Sequence, residues 1–129
     1  MLIVGWRLFD GDAVMDFQTA KSPCVYILAS APNGILYIGV TGDLHHRMAQ
    51  HEQGLIDGFT KKYGVKRLVY YEFYETMPEA IAREKRLKEW QRAWKVRLIK
   101  GANPEWRDLF DPGTGEIAPM PSDAVRMDR

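Results

Sequence analysis

The sequence has one cysteine, Cys24, in 129 residues, and it has no uninterrupted apolar run long enough to span a bilayer. A single cysteine supports neither a disulfide framework nor a cysteine-based zinc site. Nucleotide-binding loops of the GxGxxG and P-loop types are also absent. The start of the chain lacks the basic segment of a secretory signal, so we expect a cytoplasmic protein that does not associate with membranes.

Positive charge is concentrated in the middle of the chain. Residues 23–110 carry 14 Lys and Arg against 10 Asp and Glu, whereas the two flanks together carry 4 against 7. This excess permits contact with nucleic acid but is too small to establish it. A chain of 129 residues with 46% hydrophobic side chains is the size of one domain.

The order of predicted elements indicates the fold class. Two β-rich runs lie on either side of Asn33-Gly34, a pair that favours tight turns, and predict an antiparallel hairpin. The predicted elements are strands at 24–29, 35–40 and 67–75, helices at about 43–53 and 57–63, a long helix from Pro78 to Gly101 and a short one from Asn103-Pro104 to Phe110. We therefore predict an α/β (α+β) fold with a small three-stranded, mainly antiparallel sheet flanked by helices.

The same pattern divides the chain into three parts. The apolar positions in residues 1–22 show no convincing helical or strand periodicity, so we treat this segment as an N-terminal extension of uncertain structure. Residues 23–110 form the predicted domain. Residues 111–129 are rich in Pro, Gly and Asp and lack a buried-face pattern, so we expect a disordered tail.

The first predicted helix brings polar chemistry directly after a strand. Arg47 and His51 are four residues apart and therefore share one helix face. Arginine donates to phosphate oxygens, and histidine exchanges a proton near neutral pH. Tyr26 and Tyr37 lie on the two hairpin strands, where cross-strand neighbours share a sheet face. Taken alone, the spacing of Arg47 and His51 is more often that of a solvated helix face, and a tyrosine pair on a hairpin is more often a packing pair.

A carboxylate in the long helix needs a partner. Glu84 lies between Ile81 and Leu87, which together with Trp94 and Leu98 are expected to form an inward-facing apolar stripe. Burying an unpaired carboxylate is costly. Two explanations stay open, an ion pair with Arg47 or a ligand of a divalent metal ion, and a lone carboxylate suits Mg²⁺ better than zinc.

These residues occur in an order typical of one known family. The stretch CVY stands eleven residues before YIG, and DLHHR follows, with a histidine one turn later and a glutamate in a later helix. The sequence thereby resembles the GIY-YIG nuclease superfamily, and within it the small stand-alone bacterial branch (UPF0213-like). The resemblance covers about residues 23–100.

The resemblance implies a role for each matched position. Tyr26 would position or deprotonate the attacking water, and Tyr37 would support it and the scissile phosphate. Arg47 would stabilise negative charge on the phosphate, and His51 would assist proton movement. Glu84 would hold one divalent cation, Mg²⁺ or Mn²⁺. The implied activity is metal-dependent hydrolysis of nucleic acid by a structure-selective endonuclease, with DNA preferred to RNA, in repair or recombination.

Two departures from the family pattern keep a second function open. Val40 and Thr41 follow Gly39 where some members carry a lysine, and Trp94 to Arg97 occupy a region where many carry an asparagine. The alternative is a non-catalytic nucleic-acid-binding module with the same fold. A third hypothesis is a protein-interaction adaptor that docks through Trp90, Trp94 and Trp106.

Substrate contact is expected from cations beside the predicted site, in a protein that is a monomer or weak dimer. Such residues contact phosphates and do not recognise the base sequence. Because these contacts are electrostatic, binding should weaken as the salt concentration rises. The candidates for nucleic-acid binding are Lys61, Lys62, Lys66, Arg67, Arg83 and Arg86.

Overall fold

The computed structural model describes residues 6–9, 12–15, 21–56 and 58–121, and for the first two ranges it describes the backbone only. Within the predicted N-terminal extension, strands β1 (Trp6–Phe9) and β2 (Asp12–Met15) pair as an antiparallel hairpin. None of the helices in the described ranges is long and apolar enough to cross a bilayer.

A three-stranded antiparallel sheet forms the centre of the fold, which confirms the predicted fold class. Its strands are β3 (Cys24–Ala29), β4 (Leu36–Thr41) and β5 (Arg67–Phe73), in the spatial order β4-β3-β5. Every residue of β3 is buried, because this strand is paired on both edges and covered on both faces. That burial explains the unbroken apolar sequence CVYILA, which shows no alternation.

Four helices lie in the described part of the domain. They are α1 (Leu44–Glu52), α2 (Phe59–Tyr63), α3 (Met77–Glu89) and α4 (Arg92–Ala102). Asp43 caps α1 by accepting a hydrogen bond from the His46 backbone N–H at 3.1 Å. Thr76 and Glu79 form a reciprocal capping box at the start of α3, which packs across β3 and β4.

The single long helix predicted from Pro78 to Gly101 is wrong. The chain leaves the helical conformation at Trp90 and Gln91, whose ψ angles are 150° and 151°. The change of direction lets Leu87 of α3 and Ile99 of α4 both reach the core. The expected apolar stripe is broken for the same reason.

The side chains of the expected apolar stripe differ widely in their solvent exposure. Leu87 is fully buried, but Ile81 is 36% exposed and Trp94 is 47% exposed. The proposed adaptor patch is likewise divided, because Trp106 is buried in the core while Trp94 is at the surface. Three tryptophans therefore do not form one docking surface.

The last predicted helix, through Phe110, is also wrong. Asn103 is fully buried, and its side chain donates to the Val69 carbonyl at 3.1 Å and to the Arg107 carbonyl at 2.9 Å. Trp106 then adopts a positive φ of 57°, which a right-handed helix does not allow. The chain continues into β6 (Phe110–Asp111) instead.

The prediction of a disordered tail is wrong for residues 111–121. Strand β7 (Glu116–Ile117) pairs with β6, and Ile117 and Met120 are buried. The Tyr71 hydroxyl donates to the Ala118 carbonyl at 2.6 Å, which ties this segment to the sheet. Its few apolar side chains fill the edge of an existing core, so they show no periodic pattern of their own. Residues 122–129 lie outside the described residues.

Candidate nuclease active site

Tyr26 and His51 meet at the centre of the candidate site. Tyr26 is on the middle strand β3 and fully buried, and His51 is in the last turn of α1 and also buried. The Tyr26 hydroxyl lies 3.1 Å from His51 Nε2, within hydrogen-bond distance. The structure thus joins a strand residue and a helix residue separated by 25 positions into one polar pair.

Tyr37 completes an aromatic triangle with this pair. On β4, Gly39 stands directly opposite Tyr26, and Tyr37 is two residues from Gly39 on the same sheet face. The ring centroids of Tyr26 and Tyr37 are 6.3 Å apart, and Tyr37 and His51 are separated by 5.8 Å. Tyr37 is only partly buried. It therefore forms the solvent-facing side of the cluster.

Gly39 leaves the space that the Tyr26 phenol occupies. A Cβ atom on Gly39 would lie 2.5 Å from both Cζ and Oη of Tyr26, closer than any real packing contact. Sequence reasoning treated this glycine only as part of a motif and did not assign it a role. The cross-strand register supplies that role, because it sets the glycine opposite the tyrosine.

Gly39→Ala is expected to displace the Tyr26 ring. Because the ring is fully buried, we expect the free energy of unfolding to fall by about 1–3 kcal/mol. We expect any phosphodiester cleavage to fall by about tenfold or more, since a displacement near 1 Å at a reacting group is that costly. Urea titration and initial cleavage rates measure the two effects.

Gly101→Ala is the matched control for this substitution. A Cβ at Gly101 meets nothing within 4 Å, and the residue lies inside α4. This change should leave cleavage unaltered and stabilise the helix by up to about 1 kcal/mol. Equal behaviour of the two variants would contradict the assigned role of Gly39.

Arg47 lies beside the tyrosine and histidine, as its spacing on α1 predicted. Its positive charge lowers the pKa of Tyr26 and of His51, although burial is the larger influence on both. The Arg47 side chain is partly buried, and its Nε finds no hydrogen-bond partner among the described residues. A guanidinium that is partly exposed beside a buried polar pair is suited to an anionic ligand.

Burial holds both members of the central pair in their neutral forms. It raises the pKa of the Tyr26 phenol above its usual value near 10, and the neighbouring Tyr37 adds to that effect. Burial, followed by the charge of Arg47, lowers the pKa of His51 from 6.5 to about 4. Near neutral pH the pair is therefore a phenol beside a neutral imidazole, which has one ring nitrogen able to accept a proton.

Thr60 holds the other side of the imidazole. Its hydroxyl lies 3.3 Å from His51 Nδ1, and Thr60 is buried at the start of α2. If Nδ1 carries the proton and donates to Thr60, Nε2 is the acceptor that faces Tyr26. Sequence reasoning missed Thr60, because no spacing rule links a residue of α2 with one of α1.

Acid is expected to weaken the fold through His51. Between pH 6.5 and about 4 the unfolded imidazole binds a proton that the folded one does not. Stability is therefore fully present above pH 6.5 and declines as the pH falls toward 4, by roughly 2–4 kcal/mol. Urea midpoints at pH 7, 5.5 and 4.5 measure this loss.

The variant His51→Gln isolates that contribution. Its stability should decline less over the same pH interval, because the unfolded imidazole is gone. The pKa of His45 is also lowered by burial, but His45 is present in both proteins, so its contribution to the pH dependence cancels. Glu72, whose pKa is lowered in the fold, titrates at the acid end of the interval but is also present in both proteins, so its contribution cancels too. Parallel pH profiles for the two proteins would contradict this account.

Glu84 has a different partner from the one considered from sequence. Its Oε2 forms an ion pair with Lys88 Nζ at 2.9 Å, one helical turn away on α3, rather than with Arg47. The Lys88 side chain is 53% exposed, whereas that of Glu84 is 14% exposed. Exposed pairs at this spacing contribute only about 0.3–0.5 kcal/mol, so a divalent cation can displace the ammonium.

The residues present fit a magnesium-type ion. Among the described residues, no three His, Cys, Asp or Glu side chains are grouped as a metal site. Such a group is what zinc requires. Mg²⁺ keeps several waters and uses one or two carboxylates plus substrate phosphates. The mostly buried carboxylate of Glu84 meets that requirement.

The six candidate contact residues fall into two groups. Arg83 donates to both oxygens of Glu72 at 2.9 and 3.0 Å, and Arg67 donates to the Trp106 carbonyl at 3.2 Å. These two guanidiniums already have protein partners and are only partly exposed. The ammonium or guanidinium groups at the surface are those of Lys61, Lys62, Lys66 and Arg86.

Comparisons with known proteins find matches to the central part of the chain. A family model described as the GIY-YIG catalytic domain matches residues 22–97. UPF0213 proteins of Staphylococcus aureus strains Mu50 and N315 are 41% identical to the chain over 76 residues, which cover 59% of this chain and 92% of each relative. A UPF0213 protein from Bacillus halodurans, known from a solution NMR structure, is 30% identical in sequence. The match covers 61% of this chain and 83% of that protein's chain, with a TM-score of 0.40. The family match spans more than half of the sequence, and the chain therefore belongs to the GIY-YIG family of nuclease domains.

Proposed function

We propose that the protein is a divalent-metal-dependent endonuclease that hydrolyses phosphodiester bonds at the cluster of Tyr26, Tyr37, Arg47 and His51. One observation carries the proposal. The Tyr26 hydroxyl is 3.1 Å from a ring nitrogen of a neutral, buried His51, and the cation Arg47 lies beside them. A proton acceptor, a hydroxyl relay and a charge stabiliser are the groups that attack of water on a phosphate requires.

The proton follows the hydrogen bond between the two residues. Because burial raises the Tyr26 pKa, the phenol keeps its proton in the free protein. In the proposed reaction, the water oxygen bonds to phosphorus and the bond between phosphorus and the leaving oxygen breaks. The attacking water gives a proton to Tyr26 as Tyr26 passes its own proton to His51 Nε2. Thr60 holds His51 in the accepting tautomer through Nδ1. No free phenolate has to form before the substrate binds.

Negative charge on the reacting phosphate would be stabilised by Arg47 and by a bound divalent cation. Arg47, which lies partly exposed beside Tyr26 and His51, would donate to the non-bridging oxygens of the phosphate. Tyr37, partly exposed at the edge of the cluster, would hold the phosphate against Tyr26. Bound at Glu84, Mg²⁺ or Mn²⁺ would supply Lewis-acid stabilisation of the leaving oxygen.

The proposed substrate is structured DNA, in repair or recombination within the cytoplasm, and the protein acts as a monomer or weak dimer. Surface cations at Lys61, Lys62, Lys66 and Arg86 would contact phosphates without reading sequence. Two of these, Lys61 and Lys62, lie on α2, the helix that also carries Thr60 beside His51. Arg67 and Arg83 are left out, because they are only partly exposed and their guanidiniums bind protein acceptors.

A cleavage panel tests the proposal. Labelled single-stranded, flapped, nicked and Holliday-type DNA and matching RNA are incubated with the protein in Mg²⁺, Mn²⁺ or EDTA. We expect cleavage of at least one branched or flapped DNA that needs metal and that falls by about 10²-fold or more in Arg47→Gln, purified in parallel. Salt-sensitive binding without cleavage would support the non-catalytic module instead.

A further inference from the structure

The exposed indole of Trp94 lies in a surface groove along helix α4. The groove has a volume of about 270 Å³ and is lined by Trp90, Trp94, Arg97 and Leu98. Trp94 is 47% exposed, a large fraction for a tryptophan, whereas Leu98 is partly buried beneath it. Trp94, Arg97 and Leu98 are three and four residues apart on α4, so they share one helix face.

The indole is held in place by a chain of contacts that begins in the sheet. The carboxylate of Glu72 on β5 binds Arg83 through two hydrogen bonds, and Arg83 lies over the Trp90 ring at 5.2 Å. Trp90 in turn meets Trp94 edge-on, with ring centroids 5.9 Å apart and planes at 81°. These contacts restrain one side of the Trp94 ring and leave the rest of it exposed to a ligand that stacks on it.

The charge of helix α4 favours an anionic occupant of the groove. Helix α4 carries four cations and no acidic residue, in the sequence RAWKVRLIKGA. Arg97 and Lys100 are exposed, and Arg97 itself lines the groove. An aromatic ring beside guanidinium and ammonium groups is the combination that holds the bases and backbone of single-stranded nucleic acid.

We propose that Trp94 stacks an unpaired base of the substrate while Arg97 contacts the adjoining phosphate. This inference rests on the proposed function, since it takes nucleic acid as the substrate. It narrows the substrate class to nucleic acids with a single-stranded segment, such as flapped or gapped DNA. An apolar protein partner and a second copy of the chain are the other possible occupants of the groove.

Fluorescence anisotropy in EDTA, where no cleavage occurs, tests the proposal. A labelled single-stranded oligonucleotide and a blunt duplex of the same length are titrated with wild type, Trp94→Ala and Trp94→Phe. We expect Trp94→Ala to weaken single-strand binding by about tenfold or more and duplex binding by no more than about twofold. Trp94→Phe should retain most of the single-strand affinity, because a ring remains, and it confirms that the site folds.

Phe59→Ala is the matched control. Phe59 is also 47% exposed and also packs against an aromatic neighbour, Tyr63, but it lies on α2. Because Phe59 lies on the same helix as Lys61 and Lys62, this variant should change single-strand and duplex binding by the same factor, without the selective single-strand loss expected for Trp94→Ala. A single-strand defect in Phe59→Ala with none in Trp94→Ala would overturn the proposal and move the stacking surface to α2.

The remaining outcomes separate this inference from the proposed function. If wild type cleaves DNA but Trp94→Ala binds single strands as tightly as wild type does, the stacking site is wrong and the nuclease function stands. If wild type binds and cleaves no nucleic acid, both are wrong. A change of sedimentation coefficient in Trp94→Ala, with unchanged nucleic-acid binding, would assign the groove to a second copy of the chain.

Discussion

Glu84→Gln should reduce metal-dependent cleavage by about 10³-fold, because it removes the charge that is proposed to hold the cation while keeping the shape of the side chain. A bound metal contributes several kcal/mol of transition-state stabilisation, and each 1.36 kcal/mol is a factor of ten in rate. Nucleic-acid binding in EDTA should stay within about twofold of wild type. Initial cleavage rates over a range of Mg²⁺ concentrations measure the effect.

Two control variants separate a metal ligand from a structural ion pair. Glu89→Gln removes an exposed carboxylate from the same helix and should leave the rate unchanged. Lys88→Gln removes the partner that Glu84 has in the structure. If Glu84 served only that pair, Lys88→Gln would be as damaging as Glu84→Gln. We expect Lys88→Gln to retain cleavage and to need no more metal than wild type.

Tyr26→Phe should slow cleavage by about 10²–10⁴-fold, the usual contribution of a positioned proton-transfer group. The change keeps the fully buried ring and removes only the hydroxyl that lies 3.1 Å from His51 Nε2. The fold should lose about 1 kcal/mol, the net value of one hydrogen bond. Single-turnover rates and urea titrations of the same protein preparation give both numbers.

Tyr71→Phe is the matched control for this prediction. Tyr71 stands directly opposite Tyr26 on β5, is buried, and donates its hydroxyl proton to the Ala118 carbonyl. Its replacement should lower stability by a similar amount and leave cleavage within about threefold of wild type. Comparable rate losses in the two variants would mean that Tyr26 acts through packing and not through its hydroxyl.

The sequence was sufficient to predict the hairpin and helix that carry the site. Tyr26 and Tyr37 lie on paired strands on either side of Asn33-Gly34, as predicted from two short apolar runs with a turn signal between them. The spacing of Arg47 and His51 predicted a shared helix face, and both approach Tyr26. These features depend on local periodicity, which a single sequence records directly.

The unpredicted features depend on contacts between distant segments. Thr60 and Gly39 acquire their roles only when α2 packs beside α1 and β4 registers against β3. Neither proline nor glycine marks the interruption at Trp90 in the sequence. The interruption arises from tertiary packing, which places Leu87 and Ile99 in one core. Tertiary packing overrides local propensity at such positions.

The central claim is that Tyr26 and His51 act as one proton-transfer unit. Single-turnover cleavage by wild type, Tyr26→Phe, His51→Gln and the double variant tests it most directly, because residues that act together have non-additive effects on rate. We predict that the double variant is no more than about threefold slower than the slower single variant. Rate losses that multiply would show that the two residues act independently and would contradict the account.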